Sequence, residues 1–251
     1  MVRKIAVTGK GGTGKTVLAT LMIHLLADGK RKVLAIDADS AMSLPYTLGI
    51  SVPRTVSGVR SELIGSAQAK KALADGGPTK SVMKEILARG EGFDLLAMGR
   101  PEEPGCFCTV NDLLRFGIDS LADEYDIVII DGEAGPEQLN RRVLKHIDLL
   151  LVVSDMSARS LETAAGILRV AESYEEDARV RRTGLVLNRV RGDVPSGALL
   201  DKVGAEVFGS IPEDEAVNRY DREGMSLRDL PADGPAMRAV SGILERAGVT
   251  L

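Results

Sequence analysis

Residues Gly9 to Thr16 read Gly-Lys-Gly-Gly-Thr-Gly-Lys-Thr. Glycines in such a stretch let the backbone curl until successive N–H groups point at one anion. The stretch follows a short apolar run, Ile5-Ala6-Val7. It opens a helix-like segment with apolar residues at Val17, Leu18, Leu21, Met22, Leu25 and Leu26. A helix beginning there adds the positive end of its dipole. In the pattern G-x-x-x-x-G-K-[ST], the lysine reaches the outer phosphates of a nucleotide and the final hydroxyl ligates Mg²⁺. Gly11, Gly12, Thr13, Gly14, Lys15 and Thr16 are therefore candidate phosphate-binding residues, with Thr16 a candidate Mg²⁺ ligand. A second lysine, Lys10, lies inside the loop. The plain alternative is a glycine-rich strand-to-helix turn with surface lysines.

Two acidic groups end later apolar runs. Asp37-Ala38-Asp39 follows Val33–Ile36, and Asp131-Gly132-Glu133-Ala134-Gly135 follows Ile127–Ile130. In open α/β sheets, ligands gather at the carboxyl ends of the strands, so both groups are expected to face the phosphate loop. An acidic residue ending such a strand can hold Mg²⁺-bound water in phosphoryl transfer, which suits Asp131. Asp37 and Asp39 suit contact with metal-bound water or positioning of an attacking water. Taken singly, each Asp could instead cap a helix or stabilise a turn.

A third feature is Cys106-Phe107-Cys108, in Gly-Arg-Pro-Glu-Glu-Pro-Gly-Cys-Phe-Cys after the run Phe93–Met98. In an extended segment, residues i and i+2 point the same way. Two such thiolates can approach the roughly 3.8 Å separation of ligands on a tetrahedral metal. One Cys-x-Cys supplies only two ligands, and a closed four-coordinate site needs a second copy from a symmetric dimer. Two buried cysteines, or a strained disulfide, are the other readings. His24 and His146 fall in helix-like patterns, Arg141-Arg142 on a solvated helix face, and Asn188 at a strand end where a base could be read.

These groups need a scaffold. Strand-like runs at Lys4–Val7, Val33–Ile36, Phe93–Met98, Ile127–Ile130, Leu149–Val153, Gly184–Leu187 and Glu206–Gly209 are mostly continuously apolar, as in parallel strands covered on both faces. Helix-like patterns occupy Val17–Asp28, Val56–Ala74, Thr79–Arg89, Val110–Ala122, Glu137–His146, Arg159–Ser173, Ser196–Val203 and Gly234–Ala247. Their alternation implies an α/β fold with a doubly wound, mostly parallel sheet. The length of 251 residues suits one domain spanning 1–251. The net charge of −4 has both signs interspersed, which argues against nucleic acid or an anionic membrane as partner. No apolar run nears the roughly 18 residues of a spanning helix. The start, Met-Val-Arg-Lys, leads directly into a strand, so a cytoplasmic location is expected. Two cysteines in a reducing compartment suit metal binding, redox chemistry or a core position.

The loop with its extra Lys10 resembles the deviant Walker A motif of the MinD/ParA/nitrogenase-iron-protein group of dimeric P-loop ATPases. Within that group, the chain is similar to CooC-type nickel-insertion ATPases of carbon monoxide dehydrogenase maturation. The likeness rests on the loop, Asp37-Ala38-Asp39, the Gly-Arg-Pro-x-x-Pro-Gly-Cys-Phe-Cys segment, and Ile130 to Gly135 followed by Val152-Val153-Ser154-Asp155. It implies ATP hydrolysis to ADP with Mg²⁺ in a homodimer, and a nickel-enzyme client, a carbon monoxide dehydrogenase or acetyl-CoA synthase. Lys10 would cross to the partner's nucleotide. Lys15 and Thr16 would serve the phosphates and Mg²⁺, Asp39 would be the switch I aspartate and Asp131 the Walker B aspartate. Asn188 with Arg189, and the Ile211-Pro212-Glu213-Asp214 turn, would bind adenine. Cys106 and Cys108 would bind Ni²⁺ or Zn²⁺ between subunits. The chain departs from the group at Ser40-Ala41-Met42-Ser43, where members often carry Pro and Asn. Two rivals differ in class. A MinD/ParA-like positioning ATPase calls for a basic amphipathic tail, whereas Ile243–Leu251 is short with one charge of each sign. An iron–sulfur scaffold or electron donor calls for further cysteine segments.

Overall fold

The structure is a computed structural model that describes residues 3–64, 77–100, 108–135, 146–173, 180–192, 200–201 and 203–249. In chain order the elements are β1 (Lys4–Gly9), α1 (Lys15–Leu26), β2 (Val33–Ala38), α2 (Ser43–Leu48), α3 (Val56–Ile64), α4 (Gly77–Glu85), β3 (Ala88–Gly90), β4 (Phe93–Ala97) and α5 (Cys108–Leu121). They continue as β5 (Ile127–Gly132), β6 (Leu149–Ser154), α6 (Ala158–Glu172), β7 (Thr183–Val190), β8 (Val207–Pro212), α7 (Glu215–Glu223) and α8 (Pro235–Arg246). Short 3₁₀ turns follow α5 at Ala122–Glu124 and α7 at Leu227–Asp229.

The strands form one sheet in the order β3-β4-β2-β5-β1-β6-β7-β8. All neighbours are parallel except β3, which pairs antiparallel with β4. Alternate residues of each continuously apolar strand go to opposite faces. Ile5, Val7, Ala35, Ile129 and Val153 pack with α1, α2 and α8. Ala6, Ile36, Ile130 and Val152 pack with α3 to α6. This two-sided burial is why the strands lack polar alternation. β1 lies between β5 and β6, with Val7 in register with Asp131 and Gly9 with Val153. That register brings the ends of the three strands to one edge.

Several expectations are corrected. The helix read over Thr79–Arg89 ends at Glu85, and Ala88–Gly90 instead turns into a hairpin with β4. The Phe93 ring packs against Gly90 so closely that a Cβ there would stand 2.2 Å from it. His146 itself is not helical. His146 has φ 50°, in the left-handed region, just before β6. The last strand runs to Pro212, so Ile211 and Pro212 end β8 rather than form a turn. Two helices were not anticipated, α2 and α7. α7 fully buries none of its side chains, and Ala216, Val217 and Tyr220 make only a short, partly buried apolar stripe against the core. Its signals are an Asp214 N-cap, whose carboxylate accepts from the Ala216 N–H, and Gly224 at φ 68° after its end. Residues 137–145 of the expected helix, most of Ser196–Val203 and the second half of Val56–Ala74 lie outside the described residues.

Candidate functional site

The start of α1 is built to receive an anion. Its N-cap is Gly14, no side chain caps it, and its first turn carries no acidic residue. The terminal N–H groups and the dipole are thus left to a ligand. The loop before it is tied internally, since the Thr13 hydroxyl donates to Lys10 O at 2.8 Å. Gly9 has φ 150°, and a Cβ there would stand 2.2 Å from Val153 O on β6, so only glycine lets β1 turn into the loop. Lys15 is 8 % exposed.

Two consecutive residues at the end of β7 support the loop from behind. Asn188 Nδ2 donates to Thr13 O at 2.8 Å, and Arg189 donates a guanidinium N–H to Gly12 O at 3.2 Å. Engaging these carbonyls fixes the peptide planes whose N–H groups face the opposite way. Arg189 has φ 54°, a left-handed conformation uncommon outside glycine. The sequence suggested base contact for Asn188; its contact with the loop could not be read, because Thr13 is 175 residues distant. Gly14 has φ 92°, and a Cβ there would stand 2.2 Å from Asn188 Nδ2. Gly14→Ala is expected to displace that amide and weaken ADP affinity by about tenfold or more, readable by calorimetry.

Asp37 and Asp131 are neighbours in register at the ends of β2 and β5. Both are buried, at 0 % and 1 % exposure. Asp37 Oδ1 accepts from Asp39 N at 3.0 Å and Oδ2 from Leu44 N at 3.1 Å. Burial, and then the charge of Asp131, push the Asp37 carboxyl up to about 8 despite those bonds. Burial likewise pushes Asp131 up to about 7, opposed by the nearby Thr16 hydroxyl and Lys15 ammonium. Neither oxygen of Asp131 makes a hydrogen bond of normal geometry, so Thr16 approaches Asp131 without completing one. Two orphaned, buried carboxylate oxygens beside a threonine hydroxyl fit a hydrated divalent cation. Asp39 is half-buried. Its Oδ1 accepts from Ala41 N at 2.9 Å, and Met42 N bonds Asp39 O at 3.1 Å, closing a turn over the divergent Ser40–Ser43 stretch. Among the described residues, no three His, Cys, Asp or Glu side chains form a metal-holding group.

The loop after β5 docks on the phosphate loop, with Gly135 N donating to Gly9 O at 3.0 Å and the Thr8 hydroxyl to Gly135 O at 3.0 Å. Asp155 follows β6. Burial opposes its ionisation, but Ser157 donors and the charges of Lys10 and Arg189 hold it below the usual range. A crevice beside α1 is lined by Val17, Asn188, Arg189, Ile211, Pro212 and Asn218. One carboxylate sets two of its walls: Asp214 accepts from Ala216 N on α7 at 2.9 Å and from Ala236 N on α8 at 3.0 Å. Glu213 is instead paired with Arg191, whose guanidinium holds its carboxyl below the usual range. Cys108 is the first residue of α5, so it is helical rather than part of an extended segment. Cys106 lies outside the described residues.

Residues 4–227 match the family model for the CobQ/CobB/MinD/ParA nucleotide binding domain. An uncharacterized ATP-binding protein of Methanocaldococcus jannaschii is 38 % identical, over 96 % of this chain and 97 % of its own length. The carbon monoxide dehydrogenase accessory protein CooC of Rhodospirillum rubrum is 31 % identical, over 98 % of each chain. Among solved structures, the septum site-determining protein MinD of Pyrococcus horikoshii in complex with Mg-ADP superposes with TM-score 0.70 at 23 % identity, covering 98 % of this chain and 95 % of that one.

Proposed function

The chain belongs to the CobQ/CobB/MinD/ParA nucleotide-binding family, and from that premise we propose that it is a metallochaperone. It is an ATPase of the MinD/ParA class. In our reading it is one domain that works in the cytoplasm as a homodimer. It binds Ni(II), or Zn(II) in its place, through Cys106 and Cys108 of each chain, and assists nickel insertion into a carbon monoxide dehydrogenase or acetyl-CoA synthase. The observation that carries this reading is the likeness to CooC over 98 % of the chain. The positioning-ATPase alternative wants an amphipathic helix to present. Here α8 buries Met237, Val240, Ile243 and Leu244 against the sheet, and no described helix is long and apolar enough to cross a membrane.

The chemistry follows from the chain's own groups. Backbone N–H groups of residues 11–16 and the start of α1 bind the phosphates, with Lys15 on the outer ones. Thr16 and Asp131 would hold Mg²⁺, which when bound neutralises charge on the phosphates. Asp39 would orient the attacking water. Asn188 gives one amide N–H to Thr13 and keeps a second N–H and the carboxamide oxygen, the latter an acceptor suited to the exocyclic amine of adenine. Lys10 would reach the partner's nucleotide, closing the dimer and drawing the two Cys-x-Cys segments together. By linkage, metal and nucleotide then alter each other's affinity by the same factor.

Lys10→Gln tests this arrangement. It should leave ADP affinity of the monomer within about twofold and reduce ATP-dependent dimerisation about tenfold or more, measured by light scattering with a non-hydrolysable analogue. An undiminished dimer would exclude Lys10 from the closing contact.

A further inference from the structure

A chain of hydrogen bonds runs between the first turn of α1 and α2. Thr20 Oγ1 lies 2.8 Å from Thr16 O, 2.6 Å separates Thr20 Oγ1 from Thr47 Oγ1, and Thr47 Oγ1 lies 3.0 Å from Leu44 O. From Leu44 it continues through the backbone N–H to Asp37 Oδ2 at 3.1 Å. Both hydroxyls are buried, Thr20 at 0 % and Thr47 at 7 % exposure, among the apolar side chains that join α1 to α2.

The protons can be counted. Three oxygen–oxygen contacts have only two hydroxyl hydrogens to fill them. Two oxygens 2.6 Å apart need a proton between them, which excludes the arrangement where each threonine donates to its own helix. Two arrangements remain. Either Thr47 donates to Thr20 and Thr20 to Thr16 O, or Thr20 donates to Thr47 and Thr47 to Leu44 O. In both, the link between α1 and α2 is kept, and the second proton goes to one helix or the other. Apolar packing is non-directional and permits sliding, whereas this link fixes one position of α2. That position sets Leu44 N, hence Asp37, whose other oxygen holds Asp39 N.

We propose that Thr20 and Thr47 are positioning residues for ATP hydrolysis, a two-proton relay that couples the Thr16 turn to the Asp37–Asp39 segment. The proposal rests on reading that segment as the one that orients water. Thr20→Val and Thr47→Val, singly and together, test it by kcat and KM for ATP beside thermal melting. Each single variant should lower kcat about tenfold with KM and ADP affinity within twofold, since both hydroxyls are buried between α1 and α2. The double variant should be no slower than either single, because one loss already ends the relay. Thr20→Ser and Thr47→Ser, which keep the hydroxyl, should turn over like the parent. Valine variants within twofold of the parent, losses that multiply in the double variant, or serine variants as slow as valine ones would overturn the relay. Parental turnover by Asp39→Ala would instead overturn the reading on which it rests.

Discussion

Lys15→Ala is expected to lower ATP turnover by about a thousandfold, the scale seen when a preorganised donor to developing charge is removed. Lys15 is nearly buried at the start of α1, where the helix N-terminus is otherwise uncapped. Its ammonium also eases ionisation of Asp131, so the substitution disturbs both the phosphate cradle and the carboxylate beside it. No apolar core position is touched, and the sheet should melt cooperatively as before. Asp39→Ala should differ in kind, binding ATP but releasing phosphate slowly. Phosphate release measured at saturating ATP checks both. A Lys15→Ala protein as active as the parent would exclude the loop as the hydrolytic site.

Without nucleotide, the protein is expected to lose stability as pH rises from about 4 to about 8. Asp37 and Asp131 have folded-state values of about 8 and about 7, above the ordinary 3.8. A carboxyl whose value is raised on folding binds more protons folded than unfolded. Its cost is therefore absent below the unfolded value and grows until pH passes the folded one. Glu124, drawn down to about 2 chiefly by Lys80 and then Lys84, acts on the acid side, where stability is lost as pH falls. A maximum of stability near pH 4 to 5 follows. Asp131→Asn removes one buried charge that Lys15 and Thr16 offset only in part. It should raise the melting temperature at pH 8 by about 5 °C while reducing Mg²⁺-dependent turnover at least a hundredfold. Melting curves from pH 4 to 8 check the first part. A rise in stability across that range would contradict the burial argument.

The phosphate loop was legible because its chemistry dictates its residues: Gly9 must avoid the β6 backbone, and the pattern needs a lysine at Lys15 and a hydroxyl side chain at Thr16. The parallel sheet was legible for a similar reason, since strands buried on both faces leave unbroken apolar runs. What escaped depended on partners distant in sequence or on exposure. The support that Asn188 gives Thr13, and the Thr20–Thr47 link, join residues 175 and 27 positions apart with no local signature. α2 is six residues long, too short for a periodic pattern, and α7 meets the core only through the partly buried Ala216, Val217 and Tyr220. β3 is a three-residue strand defined by its pairing with β4.

Titrating the intact, reduced protein with Ni(II) while following sulfur-to-metal charge-transfer absorption measures both the ligand type and the stoichiometry. Two thiolates per chain cannot close a four-coordinate site, so the signal should saturate at one nickel per two chains and vanish in Cys106→Ser and in Cys108→Ser. Saturation at one nickel per chain, or binding that survives loss of both cysteines, would contradict the shared site and leave an ATPase of the MinD/ParA class with no nickel cargo.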